Sequence, residues 1–234
     1  MNKMSKDTLA EKIISYHQQL SCDVALPEEF AILDPFRENP ETRQVMQQFY
    51  RKFYNDSYPR KFIIGINPGR FGAGITGIPF TDTKHLKSHC DIDFSGKDSH
   101  EPSAVFVYKM IEAYGGAAAF YRDIYIHSVF PLALIRQKAE NRWVNCNYYD
   151  DKRLQTLLKP FMVTHLQEQL QWGLNRDVAF VLGKKNAGFV AALNDEYGFF
   201  DRLEVLEHPR YIQQYKSKEA GAYAQKFVDL LKGI

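Results

Sequence analysis

Four short apolar runs, each closed by a turn or a polar residue, constrain this chain more than any other feature. They cover residues 61–66, 123–127, 178–182 and 202–206. Runs this short, rich in Ile, Val, Leu and Phe, read as buried strands. Between them, 103–114, 151–172 and 186–197 carry apolar residues at helical spacing, closed by Gly115, Gly173 and Gly198. A glycine just past the last periodic residue is a helix stop. Helical patterns also cover 6–20, 41–54 and 217–231, with Pro27, Pro35 and Pro40 predicting an irregular connector between the first two. Strand alternating with helix predicts a three-layer α/β/α fold around a mostly parallel sheet of about four strands. No repeat or low-complexity segment interrupts the 234 residues, so one domain over 1–234 is expected, long enough to bury a full core. In such folds functional side chains stand at the carboxyl ends of the strands.

Composition excludes several classes. No apolar run approaches the ~20 residues that cross a bilayer. The polar start, from Met1 to Asp7, lacks the apolar core of a signal peptide. A cytoplasmic protein with no membrane partner is therefore expected. Cys22, Cys90 and Cys146 are odd in number and far apart, which excludes a disulfide framework and a four-cysteine iron–sulfur site within the chain. Thirty basic against twenty-eight acidic residues leave +2, so no global field attracts nucleic acid. Any such role rests on local charges such as Arg136, Lys184, Lys185, Arg210 and Lys216.

The most unusual stretch follows the first strand and holds five of the fourteen glycines: Gly65, Gly69, Gly72, Gly74 and Gly77. Glycine lets a ligand approach bare backbone, so a binding loop fits the pattern. Gly72, Gly74 and Gly77 match the spacing of a dinucleotide loop, but five residues separate them from the strand, and Pro79 falls where a helix would begin. No lysine follows to complete a phosphate-cradling loop. A plain connector leaves unexplained why Asn67 and Pro68 stand at the strand's very end and why Phe80 anchors the loop.

Gly65, Ile66, Asn67, Pro68, Gly69, Phe71 and Gly72, followed by Thr76, Gly77, Ile78, Pro79 and Phe80, resemble the first motif of the single-strand-selective monofunctional uracil-DNA glycosylases (SMUG), a branch of the uracil-DNA glycosylase superfamily. His208 and Pro209, just after the last strand, resemble the superfamily's second motif. The stretch from Tyr125 to Leu132 is similar to its pyrimidine-reading strand. Matching segments run in family order from about Ile32 to Lys216, and the pattern is nearest a bacterial SMUG-like subfamily.

The resemblance implies a cofactor-independent, metal-free DNA glycosylase that releases deaminated bases, uracil first, in base-excision repair, acting as a monomer on damaged DNA. Breaking an N-glycosidic bond passes through a cationic sugar and an anionic base. Asn67 cannot take a proton as a carboxylate does, so its implied role is to orient the attacking water through its amide oxygen. His208 donates to the base carbonyl where charge grows. Phe80 stacks on the base, which must be flipped out of the duplex, while Gly65, Ile66, Pro68, Gly69 and Ser128 line its pocket. Arg70, Pro209, Arg210, Tyr211 and Lys216 are the implied DNA contacts, with Arg210 and Tyr211 on a loop that wedges into the strand.

Three departures stand out. Ser128 replaces an asparagine that reads the Watson–Crick edge, which opens the pocket to other deaminated bases such as xanthine and hypoxanthine. The second motif lacks the family's small residue and second proline, and Arg70 replaces a proline. Two rivals from other classes remain: a DNA-binding module on the same fold without catalysis, and a nucleotide-binding protein using the glycine loop. A metal reading rests on His85 and His89, four apart, near Cys90, Asp91, Asp93 and His100. No second spaced ligand pair accompanies them, and Gly96 and Pro102 predict an irregular loop, so these histidines are expected to flank DNA.

Overall fold

The computed structural model describes residues 8–96 and 98–233, and among these residues seven strands form two sheets. In chain order they are β1 (Phe30–Leu33), β2 (Lys61–Gly65), β3 (Ile124–Ser128), β4 (Ala133–Ala139), β5 (Arg142–Cys146), β6 (Val178–Leu182) and β7 (Arg202–Leu206). The main sheet has the order β3-β2-β6-β7 and is parallel throughout. β3 and β6 are buried along their whole length and β2 beyond its first residue, as parallel strands covered on both faces must be. β3 and β7 are the edge strands of this sheet, and of the two β7 is the more open, with Val205 half exposed.

Alternate side chains face the two helical layers. Ile63 and Ile126 pack beneath the helices Pro102–Tyr114 and Ala220–Gly233, which meet through Phe106 and Phe227 at 5.3 Å between ring centroids. On the opposite face Tyr125 stands edge-on to Tyr54 and Trp172, and its hydroxyl donates to Gln169 of the helix Lys152–Leu170. The three-layer α/β/α fold is therefore as expected. The last two strands lie where the sequence puts them, and the first two within a residue.

The second sheet, β1-β4-β5, is antiparallel and was not expected. Its outer strand carries Arg142, Trp143 and Asn145, so it lacks the apolar signature of a buried strand. The connector over 27–40 is also more regular than its prolines suggest. Pro35 and Pro40 each occupy the first position of a helix, where the missing N–H costs nothing. Asp34 and Asn39 cap those helices by accepting backbone N–H bonds. Of the helix expected over 6–20, Leu9–Gln19 is found, and residues 6 and 7 lie outside the described residues.

A cluster of buried histidines makes this fold sensitive to acid. His17 is packed between Phe36 and Tyr50, His127 stacks on Tyr125, and His165 lies against Phe161. Burial lowers His127 and His165 to about 4, and lowers His17 well below the usual range, helped by the other two. A histidine held neutral in the folded state gains its proton more readily when unfolded. Stability is thus complete above the ordinary pKa of about 6.5 and is lost as pH falls toward 4, by about 1.4 kcal/mol per pH unit for each of the fully buried His17 and His127 and by less for the partly exposed His165. The urea midpoint is expected to fall steeply between pH 6.5 and 4.5; a flat midpoint over that range would contradict this burial.

Candidate active site

Two strand ends meet across one cleft. β2 runs into Asn67, and β7 runs into His208. Between them lies a cleft of about 270 Å³ walled by Ile66, Asn67, Pro68, Gly69, Phe80, Glu101, Asn145, His208, Arg210 and Tyr211, with Ser103, Cys146, Asn147, Tyr149, Gln214 and Tyr215 completing it. It opens at the carboxyl end of the parallel sheet, where sites in open α/β folds form.

Asn67 is held rigidly. Its amide nitrogen donates to the Cys146 carbonyl at 3.1 Å and the Pro68 carbonyl at 3.3 Å. Its amide oxygen accepts from the Tyr148 N–H at 3.2 Å, leaving one lone pair for the cleft. Tyr148 is itself locked, because its hydroxyl donates to Asn186 at 2.6 Å, and Asn186 donates to the carbonyls of Ile64 and Leu182. The small sheet thus serves the site: β5 ends in the backbone that clamps Asn67.

His208 caps the helix Pro209–Tyr215. Its Nδ1 accepts the Arg210 N–H at 3.1 Å, which puts the proton of the neutral ring on Nε2. Desolvation, with the Arg210 charge adding to it, lowers its pKa to about 4. At neutral pH His208 is therefore an uncharged donor. Phe80 lies 6.2 Å from it between ring centroids and has φ of 54°, a left-handed conformation uncommon for an aromatic residue. Such strain persists where surrounding structure enforces it, and it concentrates at binding sites.

The other expected residues fall into two groups. Ile66, Pro68, Gly69, Arg210 and Tyr211 line the cleft. Gly65 and Ser128 sit side by side in the β2–β3 register, behind Phe80. A side chain on Gly65 would come within 3.0 Å of the Phe80 ring and 3.3 Å of Ser128 Oγ, so only glycine admits both. The carbonyls of Gly65 and Ile66 are occupied by the N–H groups of Val129 and Phe130. Arg70 folds back on the protein, donating to the Trp143 carbonyl at 2.8 Å and lying over the Phe71 ring. Lys216 pairs with Glu219 at 3.0 Å, outside the cleft.

Three expectations need correction. Arg210 and Tyr211 are on a helix, not a loop: His208 and Pro209 are its cap and first residue. Pro209 is buried in the core beside Ile63 and Leu182, so it starts that helix rather than touching DNA. The segment over 83–90 is likewise a helix, Thr83–Cys90. Its candidate ligands are engaged elsewhere: His85 with Asp82 at 2.7 Å, His89 with Glu112 at 2.9 Å, and Cys90 with the Tyr108 hydroxyl at 3.2 Å. Among the described residues no group of three or more His, Cys, Asp and Glu side chains is arranged to hold a metal ion.

Sequence reasoning missed Glu101, Asn145 and Tyr215. Asn145 belongs to the unexpected sheet and accepts the Arg70 N–H. Tyr215 follows Tyr211 by one helical turn and packs on it at 5.5 Å, a spacing that a helical reading of 209–215 would have exposed. Glu101 immediately precedes the helix Pro102–Tyr114 and carries no local signal of function. Burial, followed by the nearby Asp82 charge, pushes its carboxyl up to about 7, against the pull of Arg210.

The family model of the uracil DNA glycosylase superfamily matches residues 51–232. The chain belongs to that superfamily and is a DNA glycosylase of the uracil-DNA glycosylase type. It is similar to the crystal structure of wild-type Pedobacter heparinus SMUG2, with 44% identity, 97% of each chain covered and a TM-score of 0.94. No curated protein sequence matches it. Among the described residues no helix is long and apolar enough to cross a membrane.

Proposed function

We propose that the protein hydrolyses the N-glycosidic bond of deaminated bases in DNA, uracil foremost, as the first step of base-excision repair. One observation carries this reading: a rigid amide, a neutral imidazole with a free Nε2–H, and a strained aromatic ring face the same cleft. Asn67 orients water through its remaining lone pair. His208 stabilises the charge growing on the base carbonyl, and Phe80 stacks on the flipped base. Arg210, which is exposed, and the Tyr211–Tyr215 pair stand at the cleft's rim, where the phosphates and bases of a single strand would pass. The test is a panel of single-lesion oligonucleotides, single- and double-stranded, assayed for abasic sites. Uracil is expected to be excised; a panel without any abasic product would overturn the proposal.

Ser128 favours a broader substrate range within this reading. Its buried hydroxyl is one rotatable donor–acceptor, where an asparagine offers a fixed carbonyl and amide that pair with uracil N3–H and O4 together. Sites built to pair with such groups discriminate strongly, because the wrong base leaves buried polar atoms unsatisfied. Ser128→Asn is expected to raise the preference for uracil over xanthine by about tenfold, equivalent to one net hydrogen bond. Single-turnover excision of both bases by wild type and variant measures it, and equal changes in the two rates would remove Ser128 from base reading.

A further inference from the structure

Water that attacks a cationic sugar must lose a proton, and the residues assigned above do not take it. The Asn67 amide is not basic. His208 keeps its proton on Nε2, and its Nδ1 lone pair is spent on the Arg210 N–H. Burial holds the Cys146 thiol at about 11 and the Tyr149 hydroxyl at about 12, so both stay protonated at neutral pH. Among the described residues the cleft wall offers one carboxylate, Glu101.

Its position is specific. A side chain on Gly69 would meet Glu101 Oε1 at 3.1 Å, and one on Gly72 would coincide with Oε2 at 1.6 Å. The carboxylate therefore occupies space left open by two glycines of the loop that carries Asn67. Its backbone is anchored, the Glu101 N–H donating to Asp82 Oδ2 at 2.8 Å. Among the described residues no donor bonds to the carboxylate oxygens themselves. An anchored, half-buried carboxylate in the same cleft as Asn67, against the loop two residues beyond it, is placed to accept a proton.

We propose that Glu101 is the general base of the reaction. This rests on the roles proposed for Asn67 and His208. As the bond from C1′ to the base breaks, its electron pair leaves with the base, whose carbonyl charge His208 stabilises. The water oxygen bonds to C1′, and its proton passes to the Glu101 carboxylate, which then returns it to the released base. The charged and titratable groups facing Glu101 are Asp82 at the cap of the helix Thr83–Cys90, Arg210 on the helix Pro209–Tyr215, His208 across the cleft, and His100 on its own stretch, whose Nδ1 lies 3.7 Å from Asp82. The carboxyl titrates near 7 and His208 near 4, so the two contributions separate along the pH axis.

The experiment is single-turnover excision of uracil from a single-stranded oligonucleotide between pH 5 and 9, by wild type, Glu101→Gln, Glu101→Asp and His208→Ala. Wild type is expected to rise about tenfold per pH unit below 7 and then level off. Glu101→Gln is expected to be about 10²-fold slower at pH 8 and flat across the range. Glu101→Asp retains the rise at an intermediate rate, which separates lost chemistry from lost folding, and His208→Ala is slow yet keeps the rise. A Glu101→Gln rate within threefold of wild type, or a slow rate that still rises through pH 7, would overturn the role of Glu101. A His208→Ala rate equal to wild type would instead overturn the reading on which it rests.

Discussion

Replacing His208 by alanine is expected to lower single-turnover uracil excision by about 10²–10³-fold. The expectation follows from geometry and protonation together. A preorganised donor aimed at developing negative charge is worth about 3–4 kcal/mol of barrier in a site shielded from water. His208 meets that description because its Nδ1 is occupied by the Arg210 N–H, and desolvation keeps the ring neutral, so the Nε2–H is fixed before substrate arrives. The ring also caps the helix Pro209–Tyr215, so alanine costs about 1 kcal/mol of stability as well. That loss lowers the melting temperature by a few degrees but leaves the protein folded for assay. A rate within a few-fold of wild type would remove His208 from the chemistry.

Asn67→Ala is expected to lower the rate by about 10²-fold or more, because water no longer sits where it can attack. Here the structural cost is larger. The substitution leaves the Cys146 carbonyl and the Tyr148 N–H without partners, each worth about 1–3 kcal/mol when buried. Thermal melting measures that loss separately from the rate. Binding to uracil-containing DNA is expected to survive, since the aromatic and basic groups at the cleft rim remain. Full activity in this variant would contradict the orientation of water by Asn67.

The main sheet was legible because β2, β3 and β6 are buried apolar runs and all four strands, the half-exposed β7 included, end in sharp punctuation: the runs around Ile63, Ile126, Val181 and Val205 need no long-range information to be recognised. Asn67 and His208 stand just beyond strand ends that a parallel sheet brings together, and the resemblance to the glycosylase motifs made them legible as a set with Phe80, which lies further along the glycine-rich loop. What holds them in place was not. Asn67 is fixed by backbone 79 and 81 residues away, supplied by a hairpin whose charged outer face disguises its strands. Pro35 and Pro40 were read as breaks in regular structure and Pro209 as a DNA contact, yet each is the first residue of a helix, and the capping side chain just before each proline was the overlooked signal. Glu101 was invisible because nothing local distinguishes a glutamate before a proline. Its place is defined by glycines some thirty residues earlier and by a helix about a hundred residues later.

The central claim is hydrolysis of the bond between base and sugar, and its most direct test is the product. The protein is incubated with a single-stranded oligonucleotide carrying one uracil in ¹⁸O-labelled water, and the products are weighed by mass spectrometry. The account predicts free uracil without label, an equal amount of abasic strand carrying one ¹⁸O at C1′, and no strand cleavage before alkali. Release of no base, or a strand cut without alkali through an adduct with the protein, would contradict it.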